Sequence, residues 1–252
     1  DLAALEILHS SLLIHDDFMD QDLLRRGQPT FVKQYAVLLN RKVNHDSTGL
    51  AICAGDIGFF LGFNMLVTNS KLSPTQKQKL VELFAGYMEE VGLAQMQDIW
   101  FAIPGHQPKS SRQILDMYRS KTGHYTFSLP LITGSILAGK NNLKLSTQLR
   151  KLGGLFGLVF QIQDDLLGIY GETSQIGKPS GSDIAAGKFT LLYSYFLNLA
   201  LPNQKKILQA WFGNNKQLSK SQLTIVRKLF ISSGAVAEIN KLTDSTNKRI
   251  TK

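Results

Sequence analysis

Apolar residues that recur every three or four positions, in long blocks separated by single turns, constrain the fold of this chain more than any other feature. This spacing places apolar side chains on one face of an α-helix, and the alternation typical of a half-buried strand is nearly absent. The pattern predicts helices at about residues 2–23, 48–69, 74–100, 110–121, 124–138, 145–170, 187–200, 203–211, 219–232 and 234–246. We therefore predict an all-α fold.

Several predicted helix ends carry chemical signals. Ser73 precedes Pro74, a combination typical of an N-cap followed by the first helical residue. Pro104 and Gly105 follow the end of the same helix, and Gly171 is a C-terminal signal for the helix that ends at residue 170. No linker or change in composition divides the chain, so we expect one domain over residues 1–252, preceded by further helices upstream.

The composition is that of a packed globular protein. The chain has 252 residues, of which 43% are hydrophobic, enough for a sizeable core. Cys53 is the one cysteine, so an internal disulfide is excluded and a reducing compartment, the cytoplasm, is expected. No stretch reaches about eighteen consecutive apolar residues, so the sequence does not favour an integral membrane protein.

The formal net charge of +9 is concentrated near the C-terminus. Residues 1–200 contain 18 Lys and Arg against 17 Asp and Glu, whereas residues 201–252 contain 10 against 2. These basic residues alternate with a helical apolar pattern and lack interleaved aromatic residues that would stack on bases. We interpret them as a solvated helix face and expect no nucleic-acid partner and at most weak contact with a membrane surface.

A first acidic motif ends the first predicted helix. Asp16 and Asp20 are four residues apart, which places their carboxylates on one helix face, while Asp17 is rotated by about 100°. Three carboxylates near the negative end of a helix are electrostatically disfavoured. The motif is therefore either a solvated acidic turn or a site that a cation stabilises.

A second acidic motif, residues 161–165, lies late in another apolar helix and contains Asp164 and Asp165. Carboxylate oxygens favour hard cations, and Mg²⁺ is usually held by one or two carboxylates with water and substrate phosphates completing its shell. Two such motifs together predict a magnesium site that binds a diphosphate. Basic residues close to both motifs supply the cations that a diphosphate requires: Arg25, Arg26, Lys121, Lys178 and Lys188.

Five segments, in this order, resemble motifs of the trans-isoprenyl diphosphate synthases: His15-Asp-Asp-Phe-Met-Asp20, Arg25-Arg-Gly-Gln-Pro-Thr30, Lys121-Thr-Gly123, Phe160-Gln-Ile-Gln-Asp-Asp165 and Gly177-Lys-Pro-Ser-Gly-Ser-Asp183. The resemblance covers about residues 2–200. It implies the isoprenoid-synthase helical bundle around a central cavity, a homodimer and several Mg²⁺ ions. It also implies head-to-tail condensation of isopentenyl diphosphate with dimethylallyl, geranyl or farnesyl diphosphate.

The resemblance also assigns roles to individual residues. It implies metal ligation by Asp16, Asp20 and Asp164, with Asp17 and Asp165 as hydrogen-bond acceptors beside them. It implies that the allylic diphosphate is held by Arg25, Lys121, Lys178 and Lys188. It implies that isopentenyl diphosphate faces His9 and Arg26, and that the reaction centre is lined by Asp98, Thr122 and Gln161.

Two features depart from the family pattern. Gly168 stands where the family has the last Asp of the second motif, and we expect this to weaken the second metal site without abolishing it. The family's Gly-Gly-Lys-Arg segment, which anchors isopentenyl diphosphate, is expected several dozen residues upstream and is absent from this sequence. The sequence is therefore either a piece of a longer protein or a form that condenses its substrates inefficiently.

The positions before the first motif set the expected product length. In this family a bulky residue four or five positions before the motif stops elongation, and here those positions are Leu12 and Ser11. We expect a pocket that extends towards Ile7 and Leu8 and towards aromatic residues 59, 60 and 63 of the next long helix. The prediction is a short-chain synthase of geranylgeranyl (C20) rather than farnesyl (C15) type.

We expect the homodimer to use the helix at 48–69, in which Gly55, Gly58 and Gly62 allow close helix approach. The alternative is that these glycines pack within the chain.

Two other functions remain open. One is a class I terpene cyclase, whose own second metal motif is not found here. The other is a non-catalytic subunit of a heteromeric synthase, which would typically have lost its aspartates.

Overall fold

The computed structural model of the protein describes residues 2–107, 110–171 and 179–252. It divides into two compact units, residues 1–84 and 85–252. Most of the described residues are helical, and two strands of two residues each form the only sheet among them. The predicted all-α fold is confirmed.

The first unit is built on a long helix pair. Its elements are α1 (Leu2–Met19), β1 (Leu24–Arg25), β2 (Gln28–Pro29), α2 (Phe31–Leu38), α3 (His45–Thr68) and the beginning of α4 (Pro74–Ala102). Helix α1 packs along α3, and α2 packs against the same helix. A small buried cluster of Ile14, Val32 and Ala51 joins these three helices.

The second unit contains the rest of α4 and the remaining helices. They are α5 (Ser111–Tyr118), a π-helical segment (Arg119–Ser128), α6 (Leu129–Leu137), α7 (Leu143–Tyr170), α8 (Ser182–Ala186), α9 (Leu191–Leu199), α10 (Pro202–Gln209), α11 (Lys220–Ser232) and α12 (Ala235–Ile250). Helix α7 packs against the π segment, α9 and α12. The core includes the fully buried side chains of Leu191, Phe196, Val226 and Phe230.

Local chemistry explains where the predicted boundaries hold and where they move. Ser73 and Gln76 exchange hydrogen bonds between side chain and backbone N–H, so α4 begins at Pro74 as predicted. Helix α1 ends at Met19, four residues before the predicted end at 23, because Gln21 adopts a left-handed conformation with φ of 57°. The predicted break at 122–123 is absent, since a π-helical segment connects α5 to α6.

The glycines of α3 serve a contact inside the first unit. A Cβ added to any of three of them would lie within 2.7 Å of an α1 side chain: Gly55 against His15, Gly58 against Ser11 and Gly62 against Leu8. Their close approach is therefore intrachain, and the expectation that these glycines form a dimer contact is wrong. Glycine is required here because a side chain would separate two helices that bury each other.

A still closer approach fixes the π segment in the second unit. A Cβ added to Gly157 of α7 would lie 2.0 Å from the Cα of Gly123, and one added to Gly153 would lie 2.5 Å from the backbone nitrogen of Ser128. Both obstacles are backbone atoms, which cannot rotate away as a side chain can. The chain path at residues 123–128 therefore depends on the absence of side chains at two positions of α7.

We predict that Gly157→Ala destabilises the second unit by about 2–3 kcal/mol or more, because overpacking against backbone forces the helices apart. Urea unfolding followed by tryptophan fluorescence reports on this unit, since both tryptophans, Trp100 and Trp211, lie in it. The matched control is Gly92→Ala in α4, where an added Cβ meets nothing within 4 Å. Equal stability of the two variants would contradict the packing argument.

Candidate active site

The first acidic motif keeps helical geometry up to Asp20. The N–H of Asp20 donates to the carbonyl oxygen of Asp16 at 2.8 Å, so the two side chains share the face that the sequence predicts. Asp17 points elsewhere and is buried, whereas Asp16 retains 28% exposure of its side chain. The motif therefore contains an accessible carboxylate next to a buried one.

Arg25 holds the buried carboxylate of this motif. Its Nε donates to Oδ1 of Asp17 at 2.6 Å, and its Nη2 donates to Oδ2 of Asp16 at 3.1 Å. Burial raises the pKa of Asp17, and the charge and hydrogen bond of Arg25 oppose that rise. The guanidinium thus compensates part of the negative charge at the end of α1.

A tight hairpin carries two arginines, Arg25 and Arg26, whose charges act on His9. The turn residues Arg26 and Gly27 both have positive φ, 52° and 76°, the signature of a type I′ turn between β1 and β2. Burial lowers the pKa of His9, with Glu6 opposing and Arg26 and Arg25 adding to the effect. The charges of Arg25 and Arg26 thus act on His9, and the roles that the resemblance gives to His9 and Arg26 stay predictions.

The second unit pairs four of the predicted site residues. Lys121 Nζ lies 2.5 Å from Oδ2 of Asp98, and Thr122 Oγ1 donates to Oε1 of Gln161 at 2.7 Å. Lys121 and Thr122 belong to the π segment, while Asp98 and Gln161 come from α4 and α7. π-helical turns occur frequently at functional sites, and this one brings a cation and a hydroxyl to two partner helices.

The second acidic motif repeats the division seen in the first. Asp164 is exposed, whereas Asp165 is buried and accepts hydrogen bonds from the Tyr118 hydroxyl and, at 3.1 Å, from Nε2 of Gln161. Burial, opposed by the Tyr118 hydrogen bond and reinforced by the charge of Asp183, raises the pKa of Asp165 to about 8. Tyr118 was not evident from the sequence. Residue spacing does not identify which of two adjacent acids faces the core, and only the family resemblance distinguished Asp165 from Asp164.

Gly168, the departure from the second motif, contacts another carboxylate. A Cβ added to Gly168 would lie 2.9 Å from Oδ2 of Asp183, which is itself buried. The space that an Asp side chain would need is therefore occupied by Asp183. Lys188 is partly buried after α8, and its N–H donates to the carbonyl oxygen of Asp183 at 2.9 Å. Lys178, the remaining predicted cation, lies outside the described residues.

The two residues assigned to product length differ in environment. Ser11 is 1% exposed, donates to the carbonyl oxygen of Ile7 at 2.8 Å and faces Gly58 of α3. Leu12 is only partly buried. A larger side chain at Ser11 would therefore press against Gly58 of α3, whereas Leu12 contacts none of the α3 glycines.

The carboxylates suit a magnesium ion that a substrate helps to bind. Within the described ranges, no group of three or more His, Cys, Asp or Glu side chains is arranged to hold a metal by itself. Mg²⁺ normally takes one or two protein carboxylates and completes its shell with water and phosphate oxygens. Each acidic motif by itself offers at least one carboxylate that is exposed or partly exposed, Asp16 and Asp20 in the first and Asp164 in the second, whereas a tightly ligated zinc site would not be built from them.

Glu90 of α4 is the centre of a charged network that the sequence did not predict. Its Oε1 accepts from Ser120 at 2.9 Å and lies 2.5 Å from Nδ1 of His124, and its Oε2 accepts from Arg150 at 2.7 Å. Burial alone would raise the pKa of Glu90, but the hydrogen bonds from His124 and Arg150 lower it to about 2. A single glutamate in a helix gives no sequence signal for such convergence.

Comparison with known proteins identifies the family. A model of the polyprenyl synthetase family matches residues 2–229. The chain belongs to the polyprenyl synthetase family. The resemblance seen in its motifs is thereby confirmed.

Its relatives in this family make several products. The geranylgeranyl diphosphate synthase of Sulfolobus acidocaldarius is 33% identical over 88% of this chain and 62% of its own length. The farnesyl pyrophosphate synthase of Nezara viridula is 30% identical over 98% of this chain and 58% of its own length. The chain thus spans about three fifths of the length of these curated relatives.

A solved structure with the same fold contains ligands. It is the geranylgeranyl pyrophosphate synthase of Corynebacterium glutamicum, complexed with isoprenyl diphosphate and magnesium, with a TM-score of 0.87 and 30% identity. The match covers 98% of this chain and 70% of that one. The structural match therefore agrees with the family assigned from the sequence.

We predict that Glu90→Gln lowers the free energy of unfolding of the second unit by about 2 kcal/mol at pH 7. Because folding lowers the pKa of Glu90 from its ordinary 4.5 to about 2, its contribution is complete above pH 4.5 and is lost as the pH falls towards 2. Urea unfolding at pH 7 and at pH 3 measures the difference. The exposed neighbour Glu89, changed to Gln, is the control. A loss for Glu90→Gln that is as large at pH 3 would contradict the ionic explanation.

Proposed function

We propose that this protein condenses isopentenyl diphosphate with an allylic diphosphate, head to tail, to give a short-chain all-trans prenyl diphosphate. The observation that carries the proposal is the shared arrangement of the two acidic motifs. In each, an accessible aspartate precedes a buried, hydrogen-bonded one: Asp16 before Asp17, and Asp164 before Asp165. The buried partner fixes the local geometry, and the accessible one offers oxygens to a hard cation.

The diphosphate of the allylic substrate is the leaving group. Asp16, Asp20 and Asp164 would hold Mg²⁺. The bound Mg²⁺ would stabilise the negative charge of that diphosphate. The arginine and lysine side chains add further stabilisation as negative charge develops on the leaving oxygen: Arg25, Lys121, Lys178 and Lys188. These residues favour the transition state because its leaving group carries more charge than the substrate does.

An allylic cation forms when the carbon–oxygen bond breaks. A fixed carboxylate beside it would capture it, so neutral dipoles suit this position better. The Thr122 hydroxyl and the Gln161 amide are such dipoles, joined by a hydrogen bond of 2.7 Å. Asp98 is paired with Lys121 and so presents a neutralised carboxylate.

Isopentenyl diphosphate supplies the nucleophile. Its double bond attacks the cation and forms the new carbon–carbon bond, and a proton then leaves the adjacent carbon to the released diphosphate, restoring a double bond. Arg26 and His9 would hold the diphosphate of isopentenyl diphosphate, as the family resemblance implies. These reaction steps require no serine, cysteine or histidine nucleophile.

We also propose a homodimer, using the outer face of α3 rather than its glycines. Apolar side chains at helical spacing are exposed on this helix: Leu50, Ile57, Phe60, Leu61 and Val67. An apolar helix face left exposed favours association with a second subunit.

Helices α3 and α7 are long and apolar enough to cross a membrane by length and composition alone, a test that core helices of soluble proteins also pass. A cytoplasmic location remains a prediction.

Assays of the purified chain with labelled isopentenyl diphosphate, each allylic primer and Mg²⁺ test the reaction. Longer linear diphosphates support the proposal. Cyclic hydrocarbons would favour a terpene cyclase, and turnover only after addition of a second protein would favour a subunit of a heteromeric synthase. Omitting Mg²⁺ should abolish turnover.

We predict different defects for the two aspartates of the second motif. Asp164→Asn should lower kcat by about 10²-fold or more with little loss of stability, because an accessible carboxylate that ligates the metal acts in the chemical step. Asp165→Asn should lower kcat less, and its main effect should be on the urea midpoint, because Asp165 is buried between Tyr118 and Gln161. Equal losses of kcat in the two variants would contradict this division.

We propose a C20 product and predict that Leu12→Phe shifts it towards C15 by narrowing the path of the growing chain. Ser11→Phe is the contrasting variant. It should mainly destabilise the first unit, because a Cβ at Gly58 would already be 2.1 Å from Ser11 Oγ and no space exists there for a ring. Chromatography of dephosphorylated products, with circular dichroism of both variants, checks this. An unchanged product from Leu12→Phe would remove Leu12 from the length assignment.

A further inference from the structure

Two donors to Glu90 flank residues that the proposed reaction uses. Ser120 and His124 both reach Oε1 of Glu90, and between them along the chain lie Lys121 and Thr122. Glu90 itself is on α4, and along the chain α5 lies between α4 and the π segment. We propose that Glu90 is a positioning residue that holds the π segment in the register that presents Lys121 to Asp98 and Thr122 to Gln161. This inference rests on the proposed function for its catalytic consequence but not for its geometry.

The π-helical register requires stabilisation by contacts with residues outside the segment. π-helical hydrogen bonding is rare and normally lasts a single turn, whereas this segment runs over ten residues, Arg119–Ser128. An α-helix advances by about 100° per residue, and a wider helix advances by less. A return to α-helical register would therefore rotate Lys121 and Thr122 away from partners that lie on two different helices.

Glu90 is suited to this role because each of its oxygens binds a different element. Oε1 takes the two donors of the π segment, and Oε2 takes Arg150 of α7, whose guanidinium also lies 5.1 Å from the ring centre of Tyr87. On the α7 side, the contact of Gly157 with Gly123 limits movement of the same segment. The π segment is thus held by a carboxylate on α4 and by backbone contact with α7.

The first test follows the environment of Lys121 and requires no turnover. Acylation of lysines under limiting reagent, read by mass spectrometry, reports how accessible each amine is. In Glu90→Gln we expect Lys121 to react several-fold faster than in the wild-type chain, because it leaves Asp98, while exposed Lys140 and Lys144 react as before. Glu89→Gln, which alters an exposed neighbour, should leave the rate at Lys121 unchanged. An unchanged rate at Lys121 in Glu90→Gln overturns the inference.

The second test is a double-mutant cycle on kcat, measured where circular dichroism shows all variants folded. Glu90→Gln should lower kcat about 10-fold with KM changed less than about twofold, since the group acts on positioning. In a Lys121→Ala background the same change should cost a smaller factor of kcat than in the wild-type background, because one of the two groups being positioned is already absent. Equal fold losses in the two backgrounds would show that Glu90 does not act through Lys121, and a loss confined to KM would show that it affects binding alone; either result would overturn the inference.

Failure of the proposed function gives a different result. If the wild-type chain condenses no substrate while Glu90→Gln still accelerates the labelling of Lys121, the reaction is wrong and the positioning contact stands. If the wild-type chain is active and neither labelling nor kcat responds to Glu90→Gln, the reaction stands and the positioning contact is wrong.

Discussion

The contact between the backbones of Gly123 and Gly157 determines how the second unit is built. With only 2.0 Å between a Cβ at Gly157 and the Cα of Gly123, α7 and the π segment approach as closely as two chains without side chains allow. This proximity places Thr122 within hydrogen-bond distance of Gln161, one turn along α7 from Gly157. The polar pair at the proposed reaction centre is therefore a consequence of two glycines that contact no substrate themselves.

Each acidic motif uses two adjacent aspartates, and the buried one orients the accessible one. An accessible carboxylate late in a helix has rotatable side-chain bonds. A second carboxylate, turned by about 100° into the protein, is fixed by donors and so fixes the helix turn on which the first one stands. Arg25 provides the donors for Asp17, whereas Tyr118 and Gln161 provide them for Asp165. One motif thus uses a cation and the other neutral donors for the same purpose.

The sequence predicted the helices and the identity of the chemical motifs, but not how each side chain is used. Periodicity and caps were sufficient for α4, where Ser73 and Pro74 define the first turn. The short hairpin at Arg26 and the helix at Phe31–Leu38 were missed, because each is shorter than the window over which periodicity can be recognised. The glycines of α3 were assigned to a partner subunit because a stripe of small residues specifies close approach without specifying which helix approaches.

Buried charge shows a further limit of reasoning from sequence. Glu90 and Asp165 are both acids within long helices, yet folding moves their pKa values in opposite directions, to about 2 and about 8. Burial raises the pKa of both groups. The difference arises because Glu90 accepts from Arg150 and His124, whereas Asp165 has only neutral donors and lies near the carboxylates of Asp183 and Asp164. A cation bound at Asp164 would lower the cost of ionising Asp165, so substrate and metal binding should stabilise the helix that holds them. With Asp164 as the proposed metal ligand, burial of Asp165 would cost stability in the empty protein, and ligand binding would offset that cost.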